Sequence, residues 1–149
     1  MNKSVGRLVS ILYRKNQVYL KQALKSLDIT ATEMSSLLCL YHSDGVTQDE
    51  MSHYLLIDKA AIARAIVSLL DKGLIIKEKD DIDKRANRIY LSMKGKQLET
   101  SIRSILKGWN DLLIEDIDPK DVETMFHVLE KMVLRLEVLD LKPEGAKHD

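Results

Sequence analysis

The stretch IDKAAIARAIVSLLDKGLIIKEKDDIDKRANRIYLS, from Ile57 to Ser92, holds the pattern on which the fold turns. Asp58 is placed to cap a helix in which Ile62, Ile66, Leu69 and Leu70 share one face. Ala60, Arg64, Val67, Ser68 and Asp71 lie mostly on the other face until Gly73 ends the helix. That outer face is mostly small and apolar, unlike the face of a merely solvated helix. LIIKEK and NRIYLS follow, rich in β-branched and aromatic residues and separated by a turn-forming acidic segment, so they pair as an antiparallel hairpin. Two such short strands cannot carry a sheet-based core.

Upstream, Val5, Leu8, Val9, Leu12, Tyr19, Leu20, Ala23, Leu24 and Leu27 follow the helical period and predict a long first helix, Val5 to Leu27. TATE then supplies Thr30 as N-cap with Glu33 three residues on, a capping box in which each side chain satisfies the other's orphan backbone donor. The helix it opens stops near Gly45. TQDE repeats the device with Thr47 and Glu50 and opens a short helix through Met51, Tyr54 and Leu55, joined to the Asp58 helix by a very tight turn. Downstream, Ser92 caps a helix expected to run to about Glu115, and Asp118 with Pro119 starts another. In that last helix Val122, Met125, Phe126, Leu129, Met132, Val133, Leu136 and Leu139 form a near-heptad apolar stripe that needs another helix to cover it.

Helix, helix, tight turn, helix, hairpin is the order of a winged helix-turn-helix, in which the second short helix enters the major groove of DNA. The fold class is thus mainly α (α+β), with a two-stranded wing flanked by N- and C-terminal helices. On this reading the hairpin tip faces a flanking minor groove or phosphate run, which gives Lys84, Arg85 and Arg88 a reason to be exposed beside Asp80, Asp81 and Asp83. Asp83, two residues before Arg85, is placed to hold its guanidinium in one orientation.

The chain has 149 residues, one ordinary domain by length, with 23 Lys and Arg against 23 Asp and Glu. That balance excludes a polybasic binder and restricts any nucleic-acid surface to a local patch. No stretch approaches the apolar length of a membrane span, and MNKSVGRLVSILYRK returns to charge too soon for a signal peptide, so a cytoplasmic protein with no membrane partner is expected. Cys39, the single cysteine, excludes an internal disulfide framework and fits a reducing compartment.

IDKAAIARAIVSLLDKGLI from Ile57, DKR from Asp83 and YLSMKG ending at Gly95 together resemble the MarR family of bacterial transcription regulators. The resemblance also covers helix order and length almost end to end. It implies an obligate homodimer, interlocked through Val5, Leu8 and Leu12 of the first helix and Val122, Met125, Leu129, Met132 and Leu136 of the last. It implies double-stranded DNA as partner, read at a pseudo-palindromic operator, usually in repression. Carried over, Lys59, Ala60, Ala61, Ala63, Arg64 and Ser68 hold recognition-helix positions, Thr47 and Gln48 sit where backbone phosphates are gripped, and Arg85 is the wing contact. Many relatives have serine or threonine where this chain has Ala60, Ala61 and Ala63. Alanine methyls suit thymine methyl groups, while Arg64 suits guanine. The chain divides on this reading into residues 1–29, an N-terminal dimerisation helix, 30–95, the winged module, 96–141, the C-terminal dimerisation helices, and 142–149, a flexible tail.

The resemblance also points to Tyr41, His42 and Trp109 as lining for a small-molecule effector cleft, against a plain core role for Tyr41 and Trp109. Cys39, among Leu37, Leu38, Leu40 and Tyr41, reads as a buried inert thiol, with a redox sensor as the alternative. His42, His53, His127 and His148 show no i, i+4 pair, so neither metal nor cofactor is expected. No phosphate-binding glycine loop, nucleophile motif or carboxylate pair suggests an enzyme. The competing function is a winged-helix module used for protein interaction without DNA, which has no need of a cationic wing.

Overall fold

The computed structural model describes residues 3–141, so the tail expected at 142–149 lies outside the described residues. Seven α-helices and one hairpin follow in the order α1 (Val5–Ala23), α2 (Ala31–His42), α3 (Gln48–Leu55), α4 (Lys59–Asp71), β1 (Ile75–Lys79), β2 (Asn87–Leu91), α5 (Met93–Gln97), α6 (Glu99–Ile114) and α7 (Pro119–Val138). Each helix start read from sequence has its cap. Thr30, Thr47, Asp58, Ser92 and Asp118 all accept a hydrogen bond from a first-turn backbone N–H.

Three local features depart from the expected pattern. The first helix ends at Ala23 and tightens into a 3-10 turn, Leu24–Leu27, because Asp28 takes a left-handed conformation (φ 53°) that reverses the chain. The helix expected from Ser92 to Glu115 is broken at Leu98, whose N–H bonds to the Gly95 carbonyl three residues back before α6 begins. In the Thr30 capping box, Glu33 accepts from the Thr30 hydroxyl and turns inward to Lys72 and Ser68.

The core lies within the winged module. Leu37 and Leu40 of α2, Met51 of α3, Ile62, Ile66 and Leu69 of α4, and Ile75 and Ile89 of the hairpin are all sealed from solvent, with Leu24 and Ile102 closing it from the dimerisation side. The hairpin is antiparallel, pairing Ile75 with Leu91 and Lys79 with Asn87, and Val46 bridges to Ile89 as a third, single-residue edge. Gly45 makes this junction possible. Its φ of 81° suits glycine, and a Cβ there would stand 2.7 Å from the Tyr90 ring.

Helix α7 is different in kind. None of its described residues is buried, and Met125, Phe126, Leu129, Met132, Val133 and Leu136 are all exposed, as are Val5, Leu8 and Leu12 of α1. A folded single chain that leaves this much aliphatic surface in water has an unpartnered face.

Candidate nucleic-acid interface

Helix α4 presents two unlike faces. Ile62, Ala65, Ile66 and Leu69 are buried, which leaves Ala60, Ala63, Arg64 and Val67 facing outward on three successive turns. Lys59 is exposed at the first turn, 3.5 Å from Asp49 of α3, and Ala61 is half-buried. Val67, 59% exposed, joins this outward set beyond the residues expected from the sequence, and its position seven after Ala60 is the signal for it. Ser68 departs from the outward set. It is half-buried, and its hydroxyl donates to Glu33 Oε1 at 3.2 Å.

The α3–α4 turn is tight because Leu56 accepts a left-handed conformation (φ 55°) and Asp58 Oδ1 immediately receives the Ala61 N–H at 2.8 Å. Thr47 uses its side-chain oxygen to cap α3 through the Glu50 N–H, and Gln48 follows at the first helical position, both half-buried.

The wing tip is an ordered turn. Asp80 N–H donates to the Ala86 carbonyl and Ala86 N–H to the Asp83 carbonyl, each at 3.0 Å. Asp83 Oδ1 accepts from both the Arg85 backbone N–H (3.1 Å) and the Arg85 Nε (3.3 Å), so it holds this arginine while 94% of the Arg85 side chain stays in solvent. Lys84 is exposed beside it. Arg88 is arranged otherwise: its guanidinium turns back, donating from Nε to Asp80 Oδ2 at 2.9 Å and from Nη1 to the Gly45 carbonyl at 2.8 Å. The Ile82 N–H, and then Arg88, hold the Asp80 carboxyl below its usual range.

The three residues expected around an effector are engaged separately. Tyr41 donates to the Gly95 carbonyl at 2.6 Å, His42 stacks on Tyr54 with ring centroids 5.5 Å apart, and Trp109 lies 5.3 Å from the Tyr19 ring. An open cleft elsewhere is lined by Lys21, Lys25, Asp28, Ile29, Thr30 and Lys72. Cys39 is buried, and burial, with Glu50 adding to it, pushes its thiol pKa up, the opposite of what a redox-sensing thiolate requires. No group of three or more His, Cys, Asp or Glu side chains among the described residues could hold a metal ion. No helix among them is long and apolar enough to cross a membrane.

Comparison with known proteins agrees with this geometry. Residues 29–86 match the family model described as "MarR family". A MarR transcriptional regulator from Methanosarcina mazei Go1 superposes with a TM-score of 0.85 at 33% identity, the match covering 90% of this chain and 97% of that one. The multiple antibiotic resistance protein MarR of Salmonella typhimurium is 27% identical over 130 residues, 87% of this chain and 90% of its own. A mutant MarR from E. coli, solved in complex with operator DNA, shares the fold at a TM-score of 0.77 and 24% identity over 86% of this chain and 92% of that one. Motif, element order and a full-length relative thus converge, and the chain belongs to the MarR family of transcription regulators.

Proposed function

We propose that this protein is a homodimeric, sequence-specific binder of double-stranded DNA that represses transcription at a pseudo-palindromic operator and is released by a small-molecule effector. Its family consists of transcription regulators and not of enzymes. The observation that carries the reading is the pairing of two exposed features on one module. One is the α4 face of Ala60, Ala63 and Arg64, cleared of bulky side chains. The other is a wing whose Arg85 is held by Asp83 yet almost fully solvated. A protein of the same fold, the mutant MarR from E. coli, is complexed with operator DNA, which supports DNA as the partner.

On this reading α4 lies in the major groove. Arg64 bonds guanine, and the methyls of Ala60, Ala61 and Ala63 approach thymine methyl groups. Lys59, Thr47 and Gln48 fix the module on the phosphates, and Lys84 with Arg85 extends the contact beyond the half-site. Ser68 and Arg88 leave this set because each is part-buried with its polar group turned inward, Ser68 to Glu33 and Arg88 to Asp80 and Gly45. Dimerisation uses the bare faces of α1 and α7, where Val5, Leu8, Leu12, Met125, Leu129, Met132 and Leu136 are exposed, with half-buried Val122 at the head of the stripe. Residues 1–29 and 96–141 thus serve assembly and 30–95 serve DNA. Effector release is carried by the family likeness, with the surroundings of Tyr41, His42 and Trp109 as the place to look.

Selection of bound DNA from a random library at several salt concentrations tests this. A palindromic consensus, with affinity falling steeply as salt rises, is expected. Binding without consensus, or none, leaves the interaction-module alternative in its place.

A further inference from the structure

Arg88 has the charge of a DNA contact and the geometry of something else. It lies on β2 opposite Glu78, and its guanidinium reaches in two directions at once. Nη1 takes the carbonyl of Gly45 in the loop between α2 and α3, at 2.8 Å, and Nε takes Asp80 Oδ2 where the wing tip begins, at 2.9 Å. The other Asp80 oxygen accepts the Ile82 N–H at 2.9 Å, inside the tip. A continuous polar chain therefore runs from the helix-turn-helix, through Gly45, Arg88 and Asp80, into the turn that carries Arg85.

The backbone spans that distance only as a narrow two-stranded ribbon. The loop and β2 are stitched at the wing's base, where Gly45 N–H donates to the Ile89 carbonyl and Ile89 N–H to the Val46 carbonyl. From that base the pairing runs on through Lys79 and Asn87 to one last backbone bond, Asp80 N–H to the Ala86 carbonyl, but a ribbon of only two strands is free to twist and bend about its base. A planar guanidinium bonded at both ends resists that bending in a way a point charge does not.

We infer that Arg88, acting with Asp80, is a positioning residue for DNA binding: it sets the angle of the wing relative to the recognition helix, and so places Arg85. The inference rests on the DNA-binding reading above. It predicts a result opposite in sign to simple electrostatics. Removing the negative charge of Asp80 beside DNA should tighten binding if only charge matters, whereas loss of the clamp weakens it.

The test uses the full-length protein and its selected operator. Arg88→Gln, Arg88→Lys and Asp80→Asn are each measured for operator affinity, salt dependence and melting, alone and combined with Arg85→Ala. All three single variants should weaken operator binding by about tenfold to a hundredfold, the range of one charge-assisted hydrogen bond. Lysine should not rescue, and Arg85→Ala should cost less in each variant than in wild type, because the misplaced wing has already lost its contact. Three results overturn the inference: Asp80→Asn binding more tightly than wild type, Arg88→Lys restoring affinity with effects additive to Arg85→Ala, or affinity losses that only follow the fraction unfolded. Wild type that selects no DNA brings down the DNA-binding reading itself and this inference with it, whereas Arg85→Ala that binds the selected operator normally removes the wing from the interface and brings down this inference alone.

Discussion

Lys72 and Glu33 form an ion pair at 2.8 Å that joins the end of α4 to the first turn of α2, and Glu33 is only 4% exposed. The same ammonium donates to the Asp28 carbonyl at 2.6 Å, at the left-handed residue where the first helix turns into the winged module. Ser68 and Thr30 hydroxyls supply further donors to Glu33 Oε1. Helix α4 is thus anchored at its C-terminal end by one buried carboxylate with its donors in place.

Removing Lys72 leaves that carboxylate buried without its cation. Lys72→Met should destabilise the protein by about 2–3 kcal/mol, less than the penalty for breaking a fully buried pair because Lys72 keeps some contact with water. Adding Glu33→Gln should recover part of the loss, since glutamine retains the capping geometry without the charge. Chemical denaturation of the single and double variants checks it. Equal stability of Lys72→Met and wild type defeats this account of the anchor.

Gly95, the last residue of the YLSMKG motif, is required by packing. A Cβ there would stand 2.1 Å from the Leu74 carbonyl oxygen, a backbone atom that cannot yield. Gly73, by contrast, has a left-handed φ of 70° with open space around it. Gly95→Ala should therefore lower stability by more than Gly73→Ala, which costs about 1–2 kcal/mol for the left-handed backbone alone. Thermal melting of the two variants side by side reads the order directly.

The sequence made some of this legible and not the rest, and distance along the chain separates them. Helix caps such as Thr47 and Asp58 act within three residues, and Asp83 reaches Arg85 within two, so a local pattern carried them. Arg88 to Gly45, Lys72 to Glu33 and Ser68 to Glu33 span 43, 39 and 35 residues, and nothing in the local pattern names such partners. The break at Leu98 was hidden for another reason: apolar residues keep a helical spacing on both sides of it, and periodicity does not register one tightened turn. The apolar stripes of α1 and α7 were readable from their spacing, and their side chains are exposed in the folded chain.

Tyr41 gives a pH signature. Burial, with Glu99 nearby, pushes its phenol pKa up to about 12, and its hydroxyl donates to the Gly95 carbonyl. A phenol whose folded pKa lies above its unfolded value stabilises the fold fully below about pH 10. That stability is lost as pH rises from about 10 through about 12, because the unfolded chain releases its proton first. An ultraviolet titration of phenolate should show one late-titrating tyrosine that Tyr41→Phe removes. Unchanged late titration in the variant assigns the effect to another tyrosine.

The unpartnered α7 stripe predicts assembly. Leu129→Glu with Leu136→Glu places two charges where a second chain would otherwise cover aliphatic surface, so the variant should sediment as a monomer or unfold. A double variant that remains dimeric and equally stable moves the interface off α7.

The wing prediction is the most exposed to failure. Arg85 has 94% of its side chain in solvent and no partner role in the core, so Arg85→Ala should change stability by less than about 0.5 kcal/mol while weakening operator binding. Each lost phosphate contact lowers the salt slope by about one, and a minor-groove contact adds sequence dependence of its own. A narrow A·T-rich groove concentrates negative potential, so A-tracts flanking the operator should strengthen wild-type binding more than binding by Arg85→Ala. Asp83 accepts from both the backbone and the Nε of Arg85, so Asp83→Ala frees the arginine without removing its charge. Its loss should be smaller and in the same direction, with the salt slope kept. Titration of operators with and without flanking A-tracts separates these outcomes. Tighter binding by Asp83→Ala than by wild type makes the carboxylate a simple repulsive charge, and Arg85→Ala that binds as well as wild type at physiological salt removes the wing from the interface.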